Sequence, residues 1–164
     1  MASILFVCTA NRFRSPLAAA LMKQVLAEAY GASHSWVVGS AGTWAQPGQP
    51  VVPTLPGVAR RFGVDLSDHR AARVSRQLLC NYDLILAMQS SQKEALQAEF
   101  PALADSIYLF SNVVERGSYD IPDLHRTEEE AMEVATDLNE LIRRGRERIC
   151  VLAGALYNGH HRMP

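Results

Sequence analysis

Short apolar runs alternate with longer stretches of helical period along nearly the whole chain. The runs are Ile4 to Val7, Trp36 to Val38, Leu84 to Met88 and Ile107 to Phe110; the helical stretches are Pro16 to Tyr30, Thr54 to Phe62, Ser91 to Phe100 and Thr127 to Leu152. Parallel strands need a crossover between them, and helical crossovers cover both faces of the sheet they connect. The order therefore predicts an α/β fold with a parallel sheet buried between helical layers.

Two of the helices carry boundary signals. Ser15 can cap the first, Pro16 suits its first turn and Gly31 lies just past its end, while Leu17, Leu21 and Val25 share one apolar face. The last places Met132, Ala135, Leu138 and Ile142 at mixed three- and four-residue spacing, with Glu128, Glu129 and Glu130 near its positive end. The Pro47 to Pro56 segment reads as a surface loop, and 164 residues suit one domain, here expected over 1–156 with a mobile tail over 157–164.

Charge is almost balanced, 16 Lys and Arg against 17 Asp and Glu, so no global field points to nucleic acid or a membrane surface. Any anion site must be local. Cys8, Cys80 and Cys150 are odd in number and widely spaced, which fits neither a disulfide framework nor a zinc site and suits a reducing cytoplasm. The apolar run before Cys8 is too short for a signal peptide or a membrane span.

One loop stands where an α/β sheet gathers its ligands, beyond the carboxyl end of the first strand: Cys8-Thr9-Ala10-Asn11-Arg12-Phe13-Arg14-Ser15. Backbone amides of such a turn can converge on phosphate oxygens, and the helix that follows adds partial positive charge. The same field favours thiolate at Cys8, making it a candidate nucleophile. Arg14 offers a planar fork for two oxygens of a transferring phosphoryl group. Ser15 has two compatible jobs, capping the helix and donating its hydroxyl to the departing sulfur. Hydrolysis of a phosphomonoester also needs a proton for the leaving oxygen, and Tyr119-Asp120-Ile121-Pro122-Asp123-Leu124 supplies two late carboxylates, Asp120 and Asp123. As a bland alternative, Asp123 could cap the last helix, although Thr127 is better placed to do so.

These residues resemble the low-molecular-weight protein tyrosine phosphatase family, whose signature is a Cys-x5-Arg-Ser loop ending a first strand. The likeness runs through ILFVCTANRFRSPLAAAL, VGSAGTWAQPG, FGVDLSDHRAARV and YDLILAM. It implies a three-layer fold with a four-stranded parallel sheet flanked by helices, no metal and no cofactor. It also implies that Thr9, Ala10, Asn11, Arg12, Phe13, Arg14 and Ser15 cradle phosphate, that Asn11 and His69 hold the loop in shape, and that Asp123, after Ile121-Pro122, is the general acid. The implied partners are phosphotyrosine proteins, in bacteria an autophosphorylated tyrosine kinase or a polysaccharide-export component, met by a cytoplasmic monomer or weak homodimer.

Several positions depart from the family pattern. Phe13 stands where many members carry a second cysteine, so oxidised Cys8 has no neighbouring thiol to rescue it, and Cys80 and Cys150 read as buried structural thiols. Leu124, His125 and Arg126 replace the Pro-Tyr or Pro-Tyr-Tyr that supplies an aromatic wall. Trp44, Gln46 and His125 are then the candidate pocket residues, with a Trp44 buried under the Pro47 loop as the plain alternative. Arg12 brings positive charge to the mouth, which disfavours phosphoarginine. Gln89 replaces a common aspartate with no evident consequence.

The leading expectation is a tyrosine phosphatase working through a cysteinyl-phosphate. A phosphate-binding regulatory module with weak turnover is the alternative from another class. An arginine phosphatase fits less well because of Arg12, and an arsenate reductase because Met88 to Phe100 holds no cysteine.

Overall fold

The computed structural model describes residues 1–160. Four parallel strands, β1 (Ser3–Cys8), β2 (Val37–Gly42), β3 (Leu84–Ala87) and β4 (Ile107–Leu109), form one sheet in the order β2-β1-β3-β4. Six helices accompany them: α1 (Arg14–Tyr30), α2 (Leu55–Arg61), α3 (Arg76–Leu79), α4 (Ser90–Glu99), α5 (Phe110–Glu115) and α6 (Glu128–His160), with a 3-10 segment at Pro101–Ser106. The sheet is the four-stranded parallel one that the resemblance implies.

β1 is an interior strand, and its alternation explains the three layers. Ile4, Phe6 and Cys8 face one core, shared with Leu17, Leu21 and Val25 of α1 and with Leu138 and Ile142 of α6. Leu5 and Val7 face a smaller core with Leu79, Ile85, Leu96 and Ile107. A strand buried on both sides must read as a continuous apolar run, and this one does. Because its last residue, Cys8, is in register with Gly42 at the end of β2, the nucleophile candidate is fixed at the sheet's carboxyl edge.

Several sequence expectations are corrected. Helix α1 begins at Arg14, with Phe13 at its N-cap and no side-chain cap; Ser15 lies inside the first turn, where its hydroxyl bonds elsewhere. Strand β2 runs on through Gly39 and Ser40, which pair with Leu5 and Phe6, because ladder pairing overrides their weak strand preference. The Pro47 to Pro56 loop is not merely superficial: Val51 and Val52 are buried, and the Val52 amide donates to the Arg12 carbonyl at 2.9 Å. Cys80 is exposed, since it follows the single turn of α3 and leaves the core before β3 begins, while Cys150 is buried as expected. The last helix continues through His160, so the helix covers the first part of the expected tail; residues 161–164 lie outside those described. At its start Thr127 Oγ1 accepts from the Glu130 amide at 3.1 Å, the cap the sequence suggests.

Candidate active site

The five residues between β1 and α1 fold into a tight loop around the Cys8 sulfur. The Asn11 amide donates to Sγ at 3.3 Å, and the Ser15 hydroxyl lies 2.9 Å from it. Asn11 is fully buried, adopts a left-handed φ of 56°, and uses every polar atom of its side chain. Its Nδ2 donates to Ser15 Oγ at 2.8 Å and to Ser40 Oγ at 2.9 Å, while its Oδ1 accepts from the Ala72 amide at 2.9 Å. Asparagine tolerates this backbone region better than most residues, so the turn and its bracing come from one side chain.

His69 braces the same residue from outside. Its Nε2 lies 2.7 Å from the Asn11 carbonyl, and a carbonyl can only accept, so that nitrogen carries the proton. Burial holds the ring below the ordinary histidine range, opposed by that hydrogen bond and helped by the nearby Arg70 and Lys23 charges. The neutral ring keeps its Nε2–H and continues to donate.

On the far side of the loop stands Arg14, a buried cation with 1% exposure. Its Nη1 donates to the Ile121 carbonyl at 2.9 Å, and its Nη2 lies 3.2 Å from Asp123 Oδ2. Its Nε is buried and has no hydrogen-bond partner among the described residues. A buried guanidinium donor without an acceptor is costly unless a ligand supplies one, and an oxyanion beside a helix N-terminus would do so. Asp123 is about half exposed, so its carboxyl reaches both Arg14 and open solvent. Asp120 points elsewhere: its Oδ1 accepts from the Ser90 amide and hydroxyl at 2.8 and 2.9 Å, satisfying the start of α4.

A buried thiol at a strand end, a helix-borne arginine and a carboxylate thus lie close together, and comparison with known proteins gives the family. Residues 3–148 match the family model described as low molecular weight phosphotyrosine protein phosphatase. The chain belongs to that family. A probable low molecular weight protein-tyrosine-phosphatase, EpsP, from Ralstonia nicotianae is 38% identical over 143 residues, covering 87% of this chain and 90% of the relative. The low molecular weight protein tyrosine phosphatase from T. tengcongensis superimposes with a TM-score of 0.82 at 33% identity, covering 90% of this chain and 99% of that one. YwlE arginine phosphatase from Geobacillus stearothermophilus shares the fold equally well, TM-score 0.82 at 26% identity, covering 100% and 99%.

Around the mouth of this phosphatase the candidate residues disperse. The Arg12 side chain donates from Nε to the Pro50 carbonyl at 2.7 Å, which ties the Cys8 loop to the proline-rich loop. Trp44 is not buried under that loop: it is 74% exposed, with the Arg73 guanidinium 5.3 Å from its ring centre, while its amide donates to the Thr9 carbonyl. Gln46 is exposed beside it. His125 is half-buried and packs its ring edge-on against Phe13, centroids 5.2 Å apart.

Sequence reasoning missed Ser40, Gln92 and Thr54. Ser40 accepts from Asn11, and the buried Gln92 donates to Thr9 Oγ1 at 3.0 Å. Gln92 also closes a reciprocal cap with Gln89 at the start of α4, which gives Gln89 the structural role its sequence context withheld. Thr54 donates its hydroxyl to the His125 carbonyl at 3.0 Å. Gln89 departs from the Ser/Thr that opens the usual capping box, so only Gln92 three residues on hinted at a cap; the Ser40 and Thr54 contacts join distant segments and had no local sign.

Proposed function

We propose that this phosphatase hydrolyses protein phosphotyrosine through a phosphorylated Cys8. Cys8 Sγ attacks phosphorus, the amides of Thr9, Ala10, Asn11, Arg12, Phe13, Arg14 and Ser15 face the phosphoryl oxygens, and the Arg14 fork takes the charge that grows on them. Asp123 donates its proton to the phenolic oxygen as the P–O bond breaks. In the second step Asp123 takes a proton from the attacking water, and the sulfur leaves with the Ser15 hydroxyl 2.9 Å away as donor. Asn11, Ser15 and His69 hold the loop to this shape.

The observation that carries the reading is Arg14: a buried cation whose Nη2 meets the Asp123 carboxylate and whose Nε lacks an acceptor among the described residues. The test is turnover of an aryl phosphate, with and without EDTA, by the wild type, Cys8→Ser and Asp123→Ala. The reading expects EDTA-insensitive activity, abolished in Cys8→Ser and reduced by about 100-fold or more in Asp123→Ala. No turnover by the wild type would refute it.

Arg12 favours phosphotyrosine over phosphoarginine. Its cation is held at the loop by Pro50, where it would oppose a substrate guanidinium. Faster release of phosphate from a phosphoarginine protein than from a phosphotyrosine peptide would reverse that preference. The partner class we propose is the one the resemblance implies, a bacterial tyrosine kinase or a polysaccharide-export component. The three free cysteines support a cytoplasmic setting. Among the described residues no helix is long and apolar enough to cross a membrane. Trp44, Gln46 and His125 are the proposed pocket wall.

A further inference from the structure

The acid-bearing segment is fastened at two points with little between them. At one end Ile121 is buried, its amide donating to the Met88 carbonyl at 2.9 Å and its carbonyl accepting from Arg14 at 2.9 Å. Pro122, Asp123 and Leu124 are then exposed. At the other end stands His125, whose carbonyl accepts from Thr54 at 3.0 Å and whose ring meets Phe13, 2% exposed, in an edge-on contact with an interplanar angle of 61°. The same ring places Nε2 3.7 Å from Asp123 Oδ1. That separation is beyond a hydrogen bond though within ion-pair range, and the ring's seat on Phe13 holds the chain that carries the carboxylate.

From this geometry we infer that His125, seated on Phe13, is a positioning residue for the Asp123 general acid. The inference rests on the reading of Asp123 given above. Phe13 belongs to the catalytic loop and His125 to the acid segment, so their contact joins the two halves of the chemistry directly: the ring fixes where the acid sits relative to the loop that holds the phosphoryl group. Without the ring the far end is held by the Thr54 hydrogen bond alone, the exposed backbone gains freedom, and a general acid displaced by about an ångström loses much of its effect. The imidazole is therefore more than a wall for the substrate ring. Loss of a wall contact is shared by every aryl ester, whereas loss of the positioning is felt only where the leaving group needs a proton.

The experiment compares kcat/KM for 2,4-dinitrophenyl phosphate, whose leaving group departs without help, with phenyl phosphate, whose leaving group needs the acid. Wild type, His125→Ala, His125→Phe, Asp123→Asn and the Asp123→Asn/His125→Ala double variant are measured, with thermal unfolding and inhibition by inorganic phosphate as checks on fold and loop. His125→Ala is expected to lose about tenfold more on phenyl phosphate than on the dinitrophenyl ester, any loss of contact with the substrate ring being common to both. His125→Phe keeps the edge contact with Phe13 and restores most of the phenyl phosphate activity. In the Asp123→Asn background His125→Ala adds nothing further to the difference between the esters, because it acts through that carboxylate.

Equal losses on both esters, a further difference between the esters in the double variant, or no recovery in His125→Phe would each overturn the inference while leaving Asp123 as the acid. If Asp123→Asn itself lost no more on phenyl phosphate than on the dinitrophenyl ester, the acid assignment would fall first, and the positioning role with it.

Discussion

Replacing Asn11 with alanine removes the side chain on which the Cys8 to Ser15 loop is wound, and the size of the effect follows from its contacts. Three hydrogen bonds disappear: those to Ser15 Oγ and Ser40 Oγ, at 2.8 and 2.9 Å, and that from the Ala72 amide at 2.9 Å. At about 1 kcal/mol net for each, the bonds contribute about 3 kcal/mol. Alanine must also hold the φ of 56° that asparagine tolerates, which adds about 1 kcal/mol. The sum is about 4 kcal/mol. It is felt as lost stability if the loop keeps its shape and as lost activity if the loop relaxes, with a tenfold fall in rate corresponding to about 1.4 kcal/mol. Urea unfolding and kcat/KM for p-nitrophenyl phosphate, measured on the same preparation, register both routes. Asn11→Gly separates the contributions, since glycine accepts the left-handed backbone and should recover about 1 kcal/mol relative to alanine. A loss below about 1 kcal/mol in Asn11→Ala, with kcat/KM within threefold of wild type, would refute the claim that this side chain maintains the loop.

Gly42 is predicted to be intolerant for a different reason: a Cβ there would lie 2.9 Å from the Asn11 amide nitrogen and closer still to the Thr9 carbonyl. Gly42→Ala should lower phosphate affinity and kcat/KM together, read by product inhibition and turnover; unchanged values would mean that β2 yields instead. Asp120→Ala, which removes the acceptor at the start of α4, should cost about 1 kcal/mol in urea unfolding and leave kcat/KM within a few-fold of wild type, against the large loss expected for Asp123→Asn. His69 links stability to pH. Because its folded-state value lies below the ordinary 6.5, the unfolded chain binds the proton first, so its contribution is complete above pH 6.5 and is lost as pH falls through that value towards the folded one. Unfolding midpoints between pH 7.5 and 5 should therefore fall more steeply for wild type than for His69→Gln; parallel curves would contradict it.

How far the sequence reveals this structure depends on whether a residue's partners are local. The strand and helix order was legible because each element carries its own period, as in Ile4 to Val7 and the Leu17, Leu21, Val25 face. The loop from Cys8 to Ser15 was legible because its residue types and its place between strand and helix agree. Ser15 shows where local reading fails. It looks like a helix cap, yet its hydroxyl is claimed by Asn11 Nδ2, the Cys8 sulfur and the Ala41 carbonyl, two of them several residues away and one across the sheet. Trp44 fails in the same way, because the cation that meets its ring, Arg73, comes from a separate segment. His125 was legible as a candidate pocket ring, but its contact with Phe13 joins segments far apart in the chain and had no local sign.

The bond from Arg14 to the Ile121 carbonyl spans 107 residues. Contacts of that separation cost loop-closure entropy before they contribute to stability. A chain emerging from the ribosome would hold its thiol and phosphate loop long before the segment that neutralises the buried guanidinium exists. Until then Arg14 has no reason to leave water, and Asp123, the proposed acid, is not yet in place. Enzymatic activity in this molecule is thus a report on the completed chain: reagents that label a free thiol could find Cys8 in a partly made protein, but only the finished fold could turn over a phosphate ester.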